Sequence, residues 1–189
     1  MSRTLTCLRS IGLMLLLLLT GCAGRLEQSP LPDLAGLAPE PRRVEHLIIE
    51  SGDQRKDLLG VLQHDQNALR MGLFSLQGQR LLTLVQDRDG ARFLPDAVFK
   101  PPFSADWFAS RLAWALWPAD QLQADFAGSA WSVERENAGH SIFYRHNRVT
   151  QIRFHDHCTM INDIQTGHRV YIIPIEFAQQ NKERLCPAL

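Results

Sequence analysis

Ala68-Leu-Arg-Met-Gly-Leu-Phe-Ser-Leu76, followed by Gln77-Gly78 and then Gln79-Arg-Leu-Leu-Thr-Leu-Val-Gln86, is the stretch on which the fold turns. Two apolar runs joined by a short connection containing Gly read as a β-hairpin. Asp87-Arg88-Asp89-Gly90 makes a second tight turn into Ala91-Arg-Phe-Leu94, which extends the hairpin to a meander. In extended chain Leu69, Met71 and Leu73 share one face, with Phe74 and Leu76 on the other. Leu81 and Val85, set against Leu82 and Leu84, repeat this two-sided apolar character. A sheet with one wet face would alternate more cleanly, so these strands are expected to be covered on both faces or to line a cavity on one.

Upstream, Val44–Glu50 and Leu58–Gln63 are β-prone runs separated by the turn Ser51-Gly52-Asp53-Gln54. Downstream, Pro101 and Pro102 punctuate the chain before Asp106-Trp-Phe-Ala-Ser-Arg-Leu-Ala-Trp-Ala-Leu-Trp117. Ser104 suits an N-cap, and Asp106 sits in the first turn, where the helix dipole favours an anion. Phe108, Leu112, Ala115 and Leu116 form a helical stripe that Trp107, Trp114 and Trp117 widen, which implies contact on more than one side. A second helix is expected from Ala119 to Ala127, after Pro118 and before Gly128. Strands resume at Ala130–Arg135, His140–Arg145, Val149–His155, Thr159–Ile164 and Arg169–Phe177. The class predicted is α+β: a curved, mostly antiparallel sheet with an inserted helical pair as a lid.

The N-terminus is read separately. Arg3 and Arg9 precede the apolar run Ile11–Leu19, which at nine residues is far short of the roughly 20 needed to cross a bilayer and suits a cleaved signal peptide. Leu19-Thr20-Gly21-Cys22 resembles a bacterial lipobox, in which the Cys22 thiolate takes a diacylglyceryl group and the leader is cut just before it. The expected organisation is a signal peptide over 1–21, the lipidated Cys22 with a Pro-rich tether over 22–43, and one domain over 44–189. Two or more acyl chains anchor stably, since each buried methylene contributes ~0.8 kcal/mol. Ala23, where an Asp would signal inner-membrane retention, implies the outer membrane. The tether, with Pro30, Pro32, Pro39 and Pro41, could reach at most ~60 Å.

The 189-residue chain has 20 basic and 20 acidic residues and is 45% hydrophobic, a globular balance. Removing the leader takes away Arg3 and Arg9 and leaves 168 residues with a formal charge of −2. A basic face for nucleic acid is not expected. Of four cysteines, Cys7 leaves with the leader and Cys22 carries lipid. Cys158 and Cys186 remain, either as a disulfide contributing ~3 kcal/mol in an oxidising periplasm or as two separate buried thiols.

Sites of chemistry are sparse. His155-Asp-His-Cys158 is the one cluster of metal-capable side chains. In a strand His155 and His157 would share a face, a usable zinc spacing, but they also read as a solvated face beside Arg153. No nucleophile elbow, phosphate loop or dinucleotide fingerprint occurs, and Asp87-Arg-Asp-Gly90 is a turn signature before it is a carboxylate pair. Neither a catalytic residue, a resident metal nor a cofactor is assigned.

The lipobox, the Pro-rich tether, the hairpin Ala68–Gln86 with its Asp87-Arg-Asp-Gly90 turn, and the Trp117-Pro118 helix junction together resemble a family of gammaproteobacterial lipoproteins. That family is a domain of unknown function often encoded in aryl-polyene clusters. In layout it is similar to the lipoprotein-localisation factors LolA and LolB, and the resemblance covers roughly residues 44–177. It implies a half-barrel sheet with a helical lid that binds acyl chains, and Ala97–Phe103 is the best match to the membrane-insertion loop of LolB. The expected function is a non-enzymatic outer-membrane lipoprotein, facing the periplasm, that binds or transfers an acyl chain or other hydrophobic small molecule. Leu69, Met71, Leu73, Leu81 and Val85, with Trp107, Trp114 and Trp117 from the lid, would line the site. The alternative is a structural or assembly lipoprotein docking an envelope protein, with its aromatics on a flat interface.

Overall fold

The computed structural model describes residues 27–98, 101–180 and 186. The leader, Cys22, and Phe99 and Lys100 of the expected insertion loop lie outside the described residues. Five strands, β1 (Glu40–Ser51), β2 (Gln54–His64), β3 (Ala68–Phe74), β4 (Arg80–Asp87) and β5 (Gly90–Phe93), form an antiparallel meander. Helices α1 (Ala105–Leu116) and α2 (Ala119–Asp125) follow. A second meander, β6 (Trp131–Glu136), β7 (Gly139–Tyr144), β8 (Asn147–His155), β9 (Cys158–Asp163) and β10 (His168–Pro174), leads to a short helix α3 (Ile175–Gln180). β10 pairs with β1, so the two meanders fuse into one ten-stranded sheet of order β5-β4-β3-β2-β1-β10-β9-β8-β7-β6. The sheet is open, with β5 and β6 as its edges.

The helical pair forces the sheet to curl. α1 touches β4 and β5 at one end of the strand order and also touches β9, while α2 lies against β6. Six strand spacings would set β5 and β9 roughly 29 Å apart in a flat sheet. A helix of this length is only about 18 Å long and 10–12 Å wide. The sheet therefore wraps the helices, and the main core lies between its inner face and the pair. Local chemistry starts α1 as expected, because the Ser104 hydroxyl accepts from the Trp107 amide and Asp106 sits in the first turn.

Two expectations change. The first hairpin strand is one-sided: Leu69, Met71 and Leu73 are buried on β3, while Ala68, Arg70, Gly72 and Phe74 are not. Across β4 these three pair with Gln86, Leu84 and Leu82, which share the inner face. Leu81 and Val85 therefore point the other way, and Val85, though buried, lies outside the main core between the cross-strand neighbours Arg70 and Arg92. Period-two alternation fixes the inner set once the pairing is known, and Val85 illustrates that burial alone does not reveal the face.

The segment read as tether also takes part in the fold. β1 begins at Glu40 rather than Val44, and a single 3-10 turn spans Leu34–Gly36. Ser29 and Leu34 are buried, and Leu34 belongs to the main core, with Leu31 and Leu37 packed against it. Leu31, Leu34 and Leu37 are spaced by three residues, enough for a strap with one apolar edge.

On the outer face, α3 and Cys186 join a second, smaller core of Ile48, Ile173, Cys158 and Ala178. Cys158 and Cys186 are joined by a disulfide with their Cα atoms 5.8 Å apart, which ties Cys186 to the start of β9.

Candidate functional site

The inner face is built in cross-strand rows. Leu62, Met71 and Leu84 form one row and Gly60, Leu73 and Leu82 the next, all from the β2–β3–β4 pairing. A Cβ on Gly60 would fall 2.5 Å from Met71 Cε and 2.9 Å from Leu47 Cδ1, so Gly lets these side chains close over the backbone. Opposite them Trp114, Trp117, Leu122 and Phe126 are fully buried. Trp114 and Phe126 both meet Trp131, with ring centroids 5.5 and 6.4 Å away.

Of the eight residues expected to line a ligand, Leu69, Met71, Leu73, Trp114 and Trp117 thus share one interior. Trp107 stands half-buried at the N-terminal end of α1, where Phe93, Phe103 and Phe108 complete an aromatic cluster with centroid separations of 5.1–6.4 Å. Val98 nearby is 56% exposed. Leu81 and Val85 do not join the set.

Polar groups hold the helical pair at defined points. Arg111 is buried on α1 with its guanidinium 4.6 Å from the ring centroids of both Trp107 and Trp114. Its Nε donates to Asp163 Oδ2 at 2.6 Å, Nη1 to Ser110 Oγ at 3.0 Å and Nη2 to Gln165 Oε1 at 3.3 Å. Asp163 Oδ1 accepts from the Thr166 amide, so the carboxylate also shapes the β9–β10 turn. Burial lowers the proton affinity of Arg111, and the Asp163 charge restores part of it. Sequence reading passed over this residue, although an Arg placed at i+4 from Trp107 and i−3 from Trp114 on an apolar face is itself a signal of a buried partner.

At the other end of α1, His140 is buried and its Nε2 lies 2.7 Å from the Trp114 carbonyl. A carbonyl can only accept, so Nε2 carries the proton and His140 caps the C-terminal turn of the helix. Burial lowers the His140 pKa from its ordinary 6.5, while the Trp114 bond and the Glu136 charge oppose that shift. As pH falls, the unfolded chain therefore binds the proton first. The stability due to neutral His140 is full above pH 6.5 and is lost as pH falls through the folded value. In a His140→Gln variant, stability measured by denaturant titration is expected to fall less between pH 7.5 and 5.5 than in the wild type. An equal decline in both proteins would remove this role.

Two clefts open at this end. One of about 190 Å³ is lined by Arg43, Glu45, Leu116, His155, His157 and Pro174, among others. Glu45 is buried there, with Arg43 Nε 2.8 Å away, and burial raises its carboxyl pKa against the pull of Arg43. His155 ends β8, and Asp156-His157 is the hairpin turn into β9, so the two His do not alternate along one strand as expected. His157 stacks on Phe177 with centroids 4.2 Å apart. Among the described residues no group of three His, Cys, Asp or Glu is placed to hold a metal ion.

The second cleft, about 750 Å³, lies between residues 31–34 of the strap and the turns at 66–67 and 87–90, with Gln86 on its wall. The strap crosses here. Trp114 Nε1 donates to Ser29 Oγ at 3.3 Å, Trp117 Nε1 to the Asp33 carbonyl at 3.4 Å and Gln86 Nε2 to the Pro32 carbonyl at 3.4 Å. Gly36 lies so close to α2 that a Cβ would overlap the Gln121 side chain.

Residues 42–176 match the family described as "Protein of unknown function (DUF3261)". The match covers well over half of the chain, and the chain belongs to that family. No curated protein matches it.

Proposed function

We propose that this DUF3261 member is an outer-membrane lipoprotein, anchored through Cys22 and facing the periplasm, that binds or hands over a hydrophobic chain without catalysing a reaction. The reading assigns the curled sheet and its helical pair to the half-barrel and lid of LolA and LolB. The supporting observation is the construction of the interior. Its sheet side carries two successive apolar rows across β2–β4, and its cover is a helical pair and a strap, separate elements whose place a long apolar molecule could take. A polyene lipid or the acyl group of a lipoprotein meets that description. Full-length protein purified from envelopes is expected to release a stoichiometric hydrophobic molecule on solvent extraction, beyond the acyl groups on Cys22. It is also expected to take up a fluorescent fatty acid. Absence of both would end the reading.

A second reading, docking of an envelope protein, draws on the half-buried cluster of Phe93, Phe103, Trp107 and Phe108 beside exposed Val98. A photo-cross-linker at Phe103 separates the two, since a protein adduct favours docking and a lipid adduct favours carriage.

A further inference from the structure

The strap is held to the interior by long side-chain hydrogen bonds. Its three side-chain hydrogen bonds from Trp114, Trp117 and Gln86 are 3.3–3.4 Å long, beyond the usual N–H···O range. Burial raises the pKa of Asp125 on α2, and the negative charge of Asp33 on the strap raises it further. Buried polar atoms lack partners at Gln86 Oε1, beside the strap, and at His64 Nδ1 and Asp125 Oδ2. Gln86 and His64 flank Leu69 in one cross-strand row, roughly 10 Å apart at the usual strand spacing. This is the outermost row, with Leu62–Met71–Leu84 next inward. The cleft beside it is about 750 Å³, within the roughly 300–1,000 Å³ of small-molecule sites.

The geometry points to Gln86, with His64 across Leu69, as the head-group site of an amphiphile whose chain runs inward toward Leu62, Met71 and Leu84, displacing the strap Ser29–Leu37 from Gln86 and the two indoles. The head chemistry follows from the wall. A free carboxamide oxygen needs a donor, and the Gln86 NH₂ has only a long bond to give up. Asp33, Asp87 and Asp89 line the same cleft against one cation, the exposed Arg88, with Arg92 paired to Asp87, so the wall stays net acidic and an ionised carboxylate would meet it without satisfying Oε1. A hydroxyl, amide or amine head fits. The inference rests on the hydrophobic-carriage reading and specifies which amphiphiles that site takes.

The test uses full-length protein in lipid nanodiscs with two photoreactive probes, a diazirine-bearing hexadecanol and the corresponding hexadecanoate. At pH 7.5 the alcohol is expected to label the β2–β4 interior about tenfold more than the acid. It should also deprotect the Gly36 and Leu37 amides, now bonded to the Asp33 and Leu34 carbonyls, against hydrogen exchange. Gln86→Met, which keeps the bulk and removes the carboxamide, should abolish the preference for the alcohol. Interior labelling with no preference, or with the strap amides still protected, overturns the head-group site and leaves carriage standing. Labelling of no part of the protein by either probe overturns both.

Discussion

Replacing Arg111 with Met is expected to lower stability by about 3–5 kcal/mol, because it leaves the Asp163 carboxylate buried without its cation. In a chain of this size each kcal/mol moves the midpoint by about 2–4 °C, so Tm should fall by roughly 6–20 °C. The loss is one of charge balance rather than volume, and a double variant shows this. Arg111→Met with Asp163→Asn removes both charges and keeps an oxygen for the Thr166 amide, so it should recover most of the stability. Arg111→Lys should fall between the two, since an ammonium cannot reproduce a fork that serves Asp163, Ser110 and Gln165 while stacked between two indoles. Thermal melts of the four proteins decide the matter. A double variant as unstable as the single would show that Arg111 acts through packing.

Trp114→Ala should cost a comparable ~3–5 kcal/mol for a different reason. The side chain is fully buried against Trp131 and under Arg111, and its indole N–H reaches Ser29, so truncation opens a cavity at the junction of lid, sheet and strap. Trp114→Phe retains most of the volume and should lose much less. Urea titrations provide the energies, and uptake of a neutral dye such as N-phenylnaphthylamine provides the link to function. A cavity at a ligand site should raise uptake in the Ala variant while the protein remains folded. Uptake no greater than in the wild type would separate Trp114 from any such site.

Much of the architecture is legible in the residues themselves. The Gln77-Gly78 and Asp87–Gly90 turns, the Ser104 cap and the Trp117-Pro118 break are local chemistry, and each marks an element boundary close to the observed one. The helical pair between two sets of strands follows from those signals. Other features depend on residues far apart in the chain. That β10 pairs with β1 and makes one sheet of two meanders is set by long-range register, from Glu45 against Pro174 to Ser51 against His168. The face of Val85, by contrast, is decided by the nearby β3–β4 pairing, in which it opposes Arg70 and turns outward, where its apolar character alone suggested a lining residue.

By itself the sequence determined the α+β class, the order of the strands and of the helical pair, and the inward set Leu69, Met71 and Leu73, because alternation, caps and turns act over a few residues, but it ran the last strand on to Phe177, where the chain turns into α3 after Pro174. Only the tertiary structure decided three other matters. It made Arg111 and Asp163, 52 residues apart, a buried pair. It joined Cys158 to Cys186. It also drew residues 29–37 from a Pro-rich tether into the interior. Three leucines at a spacing of three give this segment one apolar edge but no helix or strand pattern, so its place depends on the surface that α1 and the curled sheet offer those leucines.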